Sequence, residues 1–543
     1  MVPSIGDPDM SRLINTLARR PWLCATLLAL TGLLLSASST WFHGIPLPRS
    51  HDEQSYLLAA RTFAEGRLTN PTHPHWQHFE TFHTIHVPSY MSKYPAAQSL
   101  FMAFGLRLTG EPIAGIWLSG ALLYAAALWM LRAWMPARWA LLGALLLVLT
   151  HGGWDRWMVS YWGGNVAALG GVLLYGGYRR VTRGGSPRDA VLTAVGIGLL
   201  ANSRPFEGVI ACLPVGIGLV VWWFRAPRSE WPRRLRRVVL PLAAALAVIG
   251  GLMAFYNYRV TGNPATLPYV AWSEQYEETG RFLWEPLIEK DIRHDVIKQF
   301  HRELLTREVE YSYSWDAWRE GRGTIGPFIG DVLLFWNRIA TRFLVPFAGV
   351  FLLLIIPAAR HRRTRLALAA FALGLCGVML ANWYWDHYFA PFAAAAILLV
   401  MVGTRTLAAA VRRVPCGRII VVAAVLLVTA AHALGEMRRY RWREIARVRA
   451  DDWNIQRALL TERLKAQPRA QLVFVHYGPG HRVDHDWVFN EPDIDAAPIV
   501  WARDLGTEAN APLLEYFESR EAWLLIVDPP GAAGTYRLTP YGP

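Results

Sequence analysis

Two adjacent carboxylates, Asp52 and Glu53, with His51 ahead of them, open the polar segment that follows the first long apolar run, Trp22 to Trp41. A carboxylate placed just outside a bilayer can accept a proton from a reacting hydroxyl. Asp52 can equally cap the helix that follows it, since aspartate favours helix N-termini. The chain has only four lysines, Lys93, Lys290, Lys298 and Lys465, and otherwise uses arginine. Lys93, in the same polar segment as the carboxylates, is therefore a candidate point charge for a phosphate; the alternative is a surface lysine that snorkels to the headgroups. Arg204 and Glu207 fall between two apolar runs, where charge is costly unless it faces a polar cavity. That makes Arg204 a second phosphate candidate oriented by Glu207, or else one half of a structural pair three residues apart. Asp155 sits beside Arg156, its simplest ion-pair partner. Arg259 opens a long polar loop and can reach a phosphate. In Asp386-His387-Tyr388, at another run boundary, His387 can hydrogen-bond a phosphate or an acceptor. Interfacial aromatics and helix caps explain these last residues almost as well.

These residues must be positioned by membrane helices. Apolar runs fall near residues 22–41, 113–131, 139–151, 158–178, 189–203, 206–224, 238–256, 343–358, 366–383, 387–403 and 419–435. A span takes about 20 apolar residues, so 139–151 and 189–203 are short. Every second loop is loaded with arginine, for example Arg179, Arg180, Arg183 and Arg188, then Arg225 to Arg237, then Arg360 to Arg365. The alternate short loops carry only Arg156 and Arg204. Basic loops stay cytoplasmic, so one orientation satisfies all of them: N-terminus inside, C-terminus outside, about eleven spans. Hydrophobic residues make up 53% and charged residues 18%, which is unusual for a soluble chain. The net charge of +14 belongs to loops facing anionic lipid and calls for no nucleic acid. The first run reads as an uncleaved anchor because it is long and more runs follow. Cys24, Cys212, Cys376 and Cys416 map to spans or an inside loop, so no structural disulfide is expected.

Outside the spans, residues 43–112 form the richest loop. Asp52 to Glu65 reads as an amphipathic helix with Tyr56, Leu57, Ala60 and Phe63 on one face, stopped by Gly66. Ser92-Lys93-Tyr94-Pro95 precedes a second apolar helix, Gln98 to Leu108, which Arg107 makes interfacial. His73, His75, His78, His83 and His86 lie near Glu80, but their spacing matches no defined zinc pattern and no cysteine accompanies them. A divalent metal is possible there, and no metal ligand is assigned.

The segment Asp52-Glu53-Gln54-Ser55-Tyr56-Leu57-Leu58-Ala59-Ala60 with Gly66-Arg67-Leu68-Thr69, followed by Ser92-Lys93-Tyr94-Pro95, resembles the GT-C membrane glycosyltransferases. It is most similar to their bacterial branch of protein O-mannosyltransferases, aminoarabinose transferases and RgtA/B/C/D-like proteins. Ala96 and Ala97 stand where that family often has Pro-Gly. The resemblance covers about residues 10–435. It implies transfer of a sugar from a polyprenyl-phosphate carrier to a glycan, lipid or protein acceptor on the outer face, by a single inverting displacement. A phosphate leaves readily and needs no general acid, whereas an acceptor hydroxyl needs a base. By this analogy Asp52 is the base, and Glu53 orients Asp52 or the sugar. Asp155 matches the second acidic residue of the family's next outside loop. Lys93, Arg204, Arg259, His387 and Tyr388 are the residues available to the donor phosphate.

After Leu434, Arg438 to Arg449 is basic and suits the membrane surface. Asn454 to Ala466 reads as a helix, Gln471–Val475 and Ala522–Val527 as buried strands, and Leu513 to Ser519 as a helix between them. The Gly478-Pro479-Gly480-His481 stretch reads as a polar loop, because no strand-loop-helix phosphate motif fits it. The expected fold is thus an all-α polytopic membrane protein: a GT-C-like domain over 1–435, with outside loops 43–112 and 257–342, and a small extracytoplasmic α/β unit over 436–543. The expected location is the bacterial plasma (inner) membrane. Two other classes share the topology: a lipid-linked sugar flippase or transporter, which wants polar residues at mid-span and related halves, and a non-catalytic membrane scaffold.

Overall fold

The computed structural model describes residues 16–278, 280–282, 284, 285, 288–301, 325–343, 359, 364–381, 385–449, 452–479, 481–483, 485–529 and 534–542. The first apolar run forms α1 (Pro21–His43), with proline in its first turn, where the missing N–H costs nothing. The outside helices α2 (His51–Ala64) and α3 (Ala96–Thr109) follow, with a two-strand hairpin, β1 (Thr84–Ile85) and β2 (Met91–Ser92), between them. Next come α4 (Pro112–Trp134), α5 (Ala137–His151), the single turn α6 (Arg156–Val159), α7 (Asn165–Val181), α8 (Pro187–Ala201), α9 (Pro205–Phe224), α10 (Leu240–Thr261) and the outside α11 (Pro268–Tyr276). The described chain resumes with α12 (Ile325–Phe343), α13 (Arg365–Val378), α14 (Ala393–Ala410) and α15 (Gly417–Arg449).

Among the described residues, six helical stretches are long and apolar enough to cross a membrane: Pro21–His43, Pro112–Trp134, Pro205–Phe224, Arg228–Thr261, Asp386–Arg413 and Gly417–Val448. Ala137–His151 and Arg365–Val378 are apolar but shorter. Of the other expected runs, 158–178 breaks into α6 and α7 and 189–203 forms α8. The run at 343–358 lies outside the described residues beyond Phe343. The basic segment Arg438–Arg449 is not a separate surface element. It continues α15 as one 33-residue helix, so the last apolar run and the tail are rigidly joined. The four cysteines are free.

One close crossing fixes the first outside loop to the spans. Gly105 of α3 and Gly115 of α4 meet backbone to backbone; a Cβ on Gly115 would lie 1.8 Å from the Phe101 carbonyl oxygen. Only glycine permits this approach. Gly110, at φ 82°, closes α3 in the left-handed conformation that lets the chain reverse into α4.

The tail folds as α16 (Trp453–Lys465), β3 (Gln471–Tyr477), β4 (Ile499–Arg503), α17 (Thr507–Tyr516), β5 (Glu521–Val527) and β6 (Tyr536–Pro540). The sheet order is β4-β3-β5-β6, parallel except for β6. One face of the sheet packs on the first outside loop. Leu58, Phe79 and Tyr90 share a core with Leu472, Phe474, Val500, Leu513 and Phe517. Buried Arg503 donates to Asp486 at 2.8 Å and to the Glu80 carbonyl, and Thr81 donates to Asp486 at 2.7 Å. The sheet thereby buttresses the loop that carries Asp52 and Lys93.

Candidate active site

The first turn of α2 gives its two carboxylates different partners. Ser50 is the N-cap. Glu53, three residues on, accepts the backbone N–H of Arg49 at 2.6 Å and, across the loop, that of Tyr161 at 2.9 Å. Glu53 thus ties the chain entering α2 to its first turn and locks α2 to the α6–α7 segment. Burial pushes its carboxyl up against those two hydrogen bonds. Asp52 makes no capping bond. Its carboxylate accepts the Tyr94 hydroxyl and lies 3.6 Å from His51 Nδ1 and 3.7 Å from His83 Nε2.

The partners of Asp52 are held from behind. Ser55 donates to the His83 carbonyl at 2.6 Å and pairs with Ser92 at 2.7 Å, and the Lys93 N–H returns to the His83 carbonyl at 3.0 Å. Tyr56 stacks on Tyr94 at 4.3 Å between ring centroids. His83 holds φ at 59°, a conformation that costs a non-glycine residue free energy and clusters at sites where a side chain must be aimed. Lys93 is not at the surface: it is 4% exposed, with its ammonium 3.4 Å from the Trp272 ring centroid. Burial brings Lys93 down to about 8, with Glu277 and Asp52 opposing. Burial alone would raise Asp52, but the imidazoles of His83 and His51 and the Tyr94 hydroxyl hold it well below the usual carboxylate range. Burial and the Lys93 charge hold His83 well below its usual range. At neutral pH the site therefore holds an ionised Asp52 and a protonated Lys93.

Asp52, Lys93, Arg204 and Tyr388 line one cavity of about 530 Å³, together with Glu207, Trp272 and Glu277. The Arg204 guanidinium packs 4.1 Å from the Tyr388 ring centroid, and the loop bearing it is tied to α3 by the Ala97 N–H on the Asn202 carbonyl at 2.9 Å. Two expected residues fall elsewhere. Arg259 is exposed near the end of α10 and lines neither this cavity nor the one described next. His387 is buried, its ring 5.0 Å from that of Trp162, and it too lines neither.

Asp155 belongs to a second cavity of about 970 Å³, which shares Arg49, Ser50 and Trp162 with the first. It caps α6 by accepting the Trp157 N–H at 2.9 Å and pairs with Arg342 at 3.1 Å; its sequence neighbour Arg156 is not its partner. Tyr94 of the Ser92–Pro95 motif joins the first site, and three residues that local reading did not single out complete it from the second outside loop: Trp272, Glu277 and His301. Only a fold that returns that loop onto the first reveals them.

The loop histidines do not converge. His73 bonds Asp495 of the tail at 3.1 Å, His294 pairs with Glu80 at 2.9 Å, and His86 stacks on Tyr90. Among the described residues, the set close enough to share a cation is His51, Asp52 and His83, with ligand atoms within 4.8 Å of one another. Two imidazoles and a carboxylate are suitable donors for a divalent ion. The buried Lys93 ammonium, whose charge already depresses His83, opposes a second cation there.

The chain superposes on ArnT from Cupriavidus metallidurans in the apo state with a TM-score of 0.53 at 14% identity, covering 92% of each chain. The chain therefore shares its overall fold with that protein. The Archaeoglobus fulgidus oligosaccharyltransferase shows the same fold in two structures. In its complex with zinc and sulfate the TM-score is 0.50 at 13% identity, over 93% of this chain and 68% of that one. As AglB with an inhibitory peptide and a dolichol-phosphate, it gives 0.51 at 12% identity, over 93% and 69%. No protein-family model matches the sequence, and no curated protein matches it.

Proposed function

We propose that this GT-C-fold chain transfers a glycosyl group from a polyprenyl-phosphate carrier to an acceptor hydroxyl on the outer face of a membrane, in an inverting single displacement. The observation that carries the reading is the first cavity, where an ionised carboxylate that serves no cap faces a lysine and an arginine across space suited to a sugar phosphate. The arginine distribution puts this cavity outside in a protein of about eleven spans. In the reaction the anomeric C–O bond to phosphate breaks and the acceptor oxygen bonds the anomeric carbon from the opposite face. The leaving phosphate keeps the electron pair beside Lys93 and Arg204, and the acceptor proton passes to Asp52. A carboxylate with a low pKa is a weak base, so the proton moves late, when the new C–O bond has made the acceptor oxygen acidic. Tyr94, His51 and His83 position Asp52, and Glu53 positions the helix that carries it. The step needs no divalent ion, because Lys93 and Arg204 supply the positive charge.

The test is Asp52→Asn in full-length protein in membranes, matched for level, with a polyprenyl-phosphate sugar as donor. Donor binding should persist and transfer should fall about 10²-fold or more. Near-parental turnover would leave Asp52 without a catalytic part.

A further inference from the structure

The carboxyl ends of parallel strands are where an α/β sheet ordinarily presents residues to a ligand. In the tail, that place is occupied by the protein's own first outside loop. Arg503 is the last residue of β4, and Tyr477 the last of β3. Arg503 is 4% exposed; it donates through Nε to the Glu80 carbonyl and through Nη2 to Asp486 at 2.8 Å. Asp486 in turn accepts the hydroxyls of Thr81, at 2.7 Å, and of Tyr477. The Glu80 side chain points to the second outside loop, where it accepts the Tyr276 hydroxyl at 2.8 Å and pairs with His294 at 2.9 Å. Glu80 and Thr81 are thus gripped from two sides. His83, two residues on, is gripped again: its carbonyl accepts the Ser55 hydroxyl at 2.6 Å and the Lys93 N–H at 3.0 Å. Between the grips, Phe82 is buried against His51 with ring centroids 4.7 Å apart, and His83 takes φ 59°. A non-glycine residue stays in that conformation only when its surroundings over-determine it. The result is an imidazole 3.7 Å from the Asp52 carboxylate.

We propose that Arg503 is a positioning residue for transfer: by fixing Glu80 from the tail, it holds His83 in the left-handed conformation and so aims the imidazole at Asp52. The tail is then a working part of the first cavity, although none of its described residues lines it. This role in transfer rests on Asp52 being the base proposed above; the tail's grip on the loop does not. Once the grip on Glu80 is released, one end of the short strap is free. His83 then relaxes to an ordinary backbone conformation and withdraws, leaving Asp52 to His51 and Tyr94.

The experiment is a double-mutant cycle on full-length protein in membranes, with a polyprenyl-phosphate sugar as donor. Arg503→Gln and His83→Gln should each lower kcat about tenfold. The double variant should fall no more than about twofold below His83→Gln, because the change at 503 acts through 83. Losses that multiply would overturn the proposal. Arg503→Lys keeps a cation beside Asp486 but not the planar fork that reaches Glu80 at the same time. It should restore the melting temperature yet leave kcat about threefold or more below the parent; full recovery of both would make Arg503 a counter-charge for Asp486 and nothing more. Should Arg503→Gln fail to insert, Thr81→Val takes its place in the cycle, since it removes one bond to Asp486 and leaves the buried ion pair whole. Arg520→Gln loosens the opposite end of the sheet, where Arg520 donates to the Ala497 carbonyl at 2.7 Å, and should show no coupling to His83. Hydrogen exchange reads the strap without any transfer: the amides of residues 81–93 should exchange about tenfold faster in Arg503→Gln than in the parent. Unchanged exchange would overturn the grip itself. If Asp52→Asn loses transfer and Arg503→Gln does not, only the positioning role fails. If Asp52→Asn keeps parental turnover, the reading of the first cavity fails and the role in transfer falls with it, while exchange still decides the tail's grip on the loop.

Discussion

The two cavities share Arg49, Ser50 and Trp162 yet handle charge in opposite ways. In the second, carboxylates and guanidinium groups are paired: Asp155 with Arg342 at 3.1 Å, and Asp386 with Arg338 at 3.8 Å. In the first, Asp52 has no arginine or lysine within 4.0 Å among the described residues, and Lys93 rests on an indole face. A paired charge is spent on holding the fold, whereas an unpaired one kept in place by hydrogen bonds and aromatic rings remains available to a substrate. The contrast separates two carboxylates that the sequence offers for catalysis, Asp52 as the base and Asp155 as a second acidic residue. Asp155 doubles as a helix cap and an ion-pair partner, while Asp52 serves neither role and Glu53 holds the backbone around α2.

The largest expected effect breaks the comparison at this point. Asp52→Asn should reduce transfer about 10²-fold or more with little change in melting temperature. Asp155→Asn keeps the cap but leaves the partly buried Arg342 short of a counter-charge. It should cost about 1–3 kcal/mol of stability and reduce transfer at least about tenfold less than Asp52→Asn. Transfer assays and thermal melts on the two purified variants check this. The reverse ranking would move the chemistry to the second cavity.

The next effect concerns Lys93. Burying an ammonium disfavours its charged form, which is why its pKa stands at about 8. Lys93→Met should therefore raise the donor KM about tenfold without lowering the melting temperature, since the substitution removes a desolvated charge at the expense of its cation–π contacts with Tyr94, Tyr269 and Trp272. A lower melting temperature with an unchanged donor KM would make Lys93 a structural residue.

Part of this contrast can be read from the sequence and part cannot, for physical reasons. Lys93 stood out because lysine is rare in this chain, and Asp52 because a carboxylate directly follows an apolar run. Helices α2, α3 and α16 follow local periodicity, and their observed limits lie within two residues of the expected ones. The division of labour between Asp52 and Glu53 was not legible, because it depends on the Tyr161 N–H and the Tyr94 hydroxyl, which only the tertiary fold brings up. Asp155 and Arg342 are 187 residues apart in sequence, beyond any local pattern. In the tail, β4 has only five residues and ends in buried Arg503, so its hydrophobic signal is short. Helix α17 starts at Thr507, ahead of the expected Leu513, because its first turns are polar. Hydropathy also marked the end of the last apolar run but not the end of the helix: α15 continues on side-chain pairs such as Glu436–Arg439.

A smaller, graded effect is set by pH. Lys93 must be protonated to hold a phosphate, so the parent's kcat/KM should decline as pH rises through about 8, approaching tenfold per pH unit. Asp52, held well below the carboxylate range, stays ionised, so the profile should be flat from pH 7 down to about 5. Unfolding does not explain the alkaline decline. Lys93 has a lower pKa folded than unfolded, so between about 8 and its ordinary 10.5 the unfolded chain binds more protons, and this group's contribution to stability rises with pH. Lys93→Arg should move the alkaline limb upward, because a guanidinium stays charged. A limb that does not move in that variant would belong to another group.

The smallest expected effect tests whether the first cavity relies on its own cations. His51, Asp52 and His83 place three ligand atoms within 4.8 Å of one another, enough to attract a divalent ion if charge allowed. A bound dication would have to displace the Tyr94 hydroxyl from Asp52 or share it, and would sit beside the buried Lys93 ammonium. It would also duplicate the role that Lys93 and Arg204 fill toward the departing phosphate. Exhaustive chelation with EDTA should therefore change the parent's transfer rate by less than about twofold. In the Lys93→Met variant the electrostatic objection is gone, and added Mn²⁺ should bind at His51, Asp52 and His83, detectable by its electron paramagnetic resonance signal. Loss of parental activity on chelation, restored by Mn²⁺, would show that the cluster is a metal centre and that Lys93 tolerates it. The first cavity would then neutralise its donor with a bound ion, and its difference from the arginine-lined second cavity would lie in the kind of cation each uses.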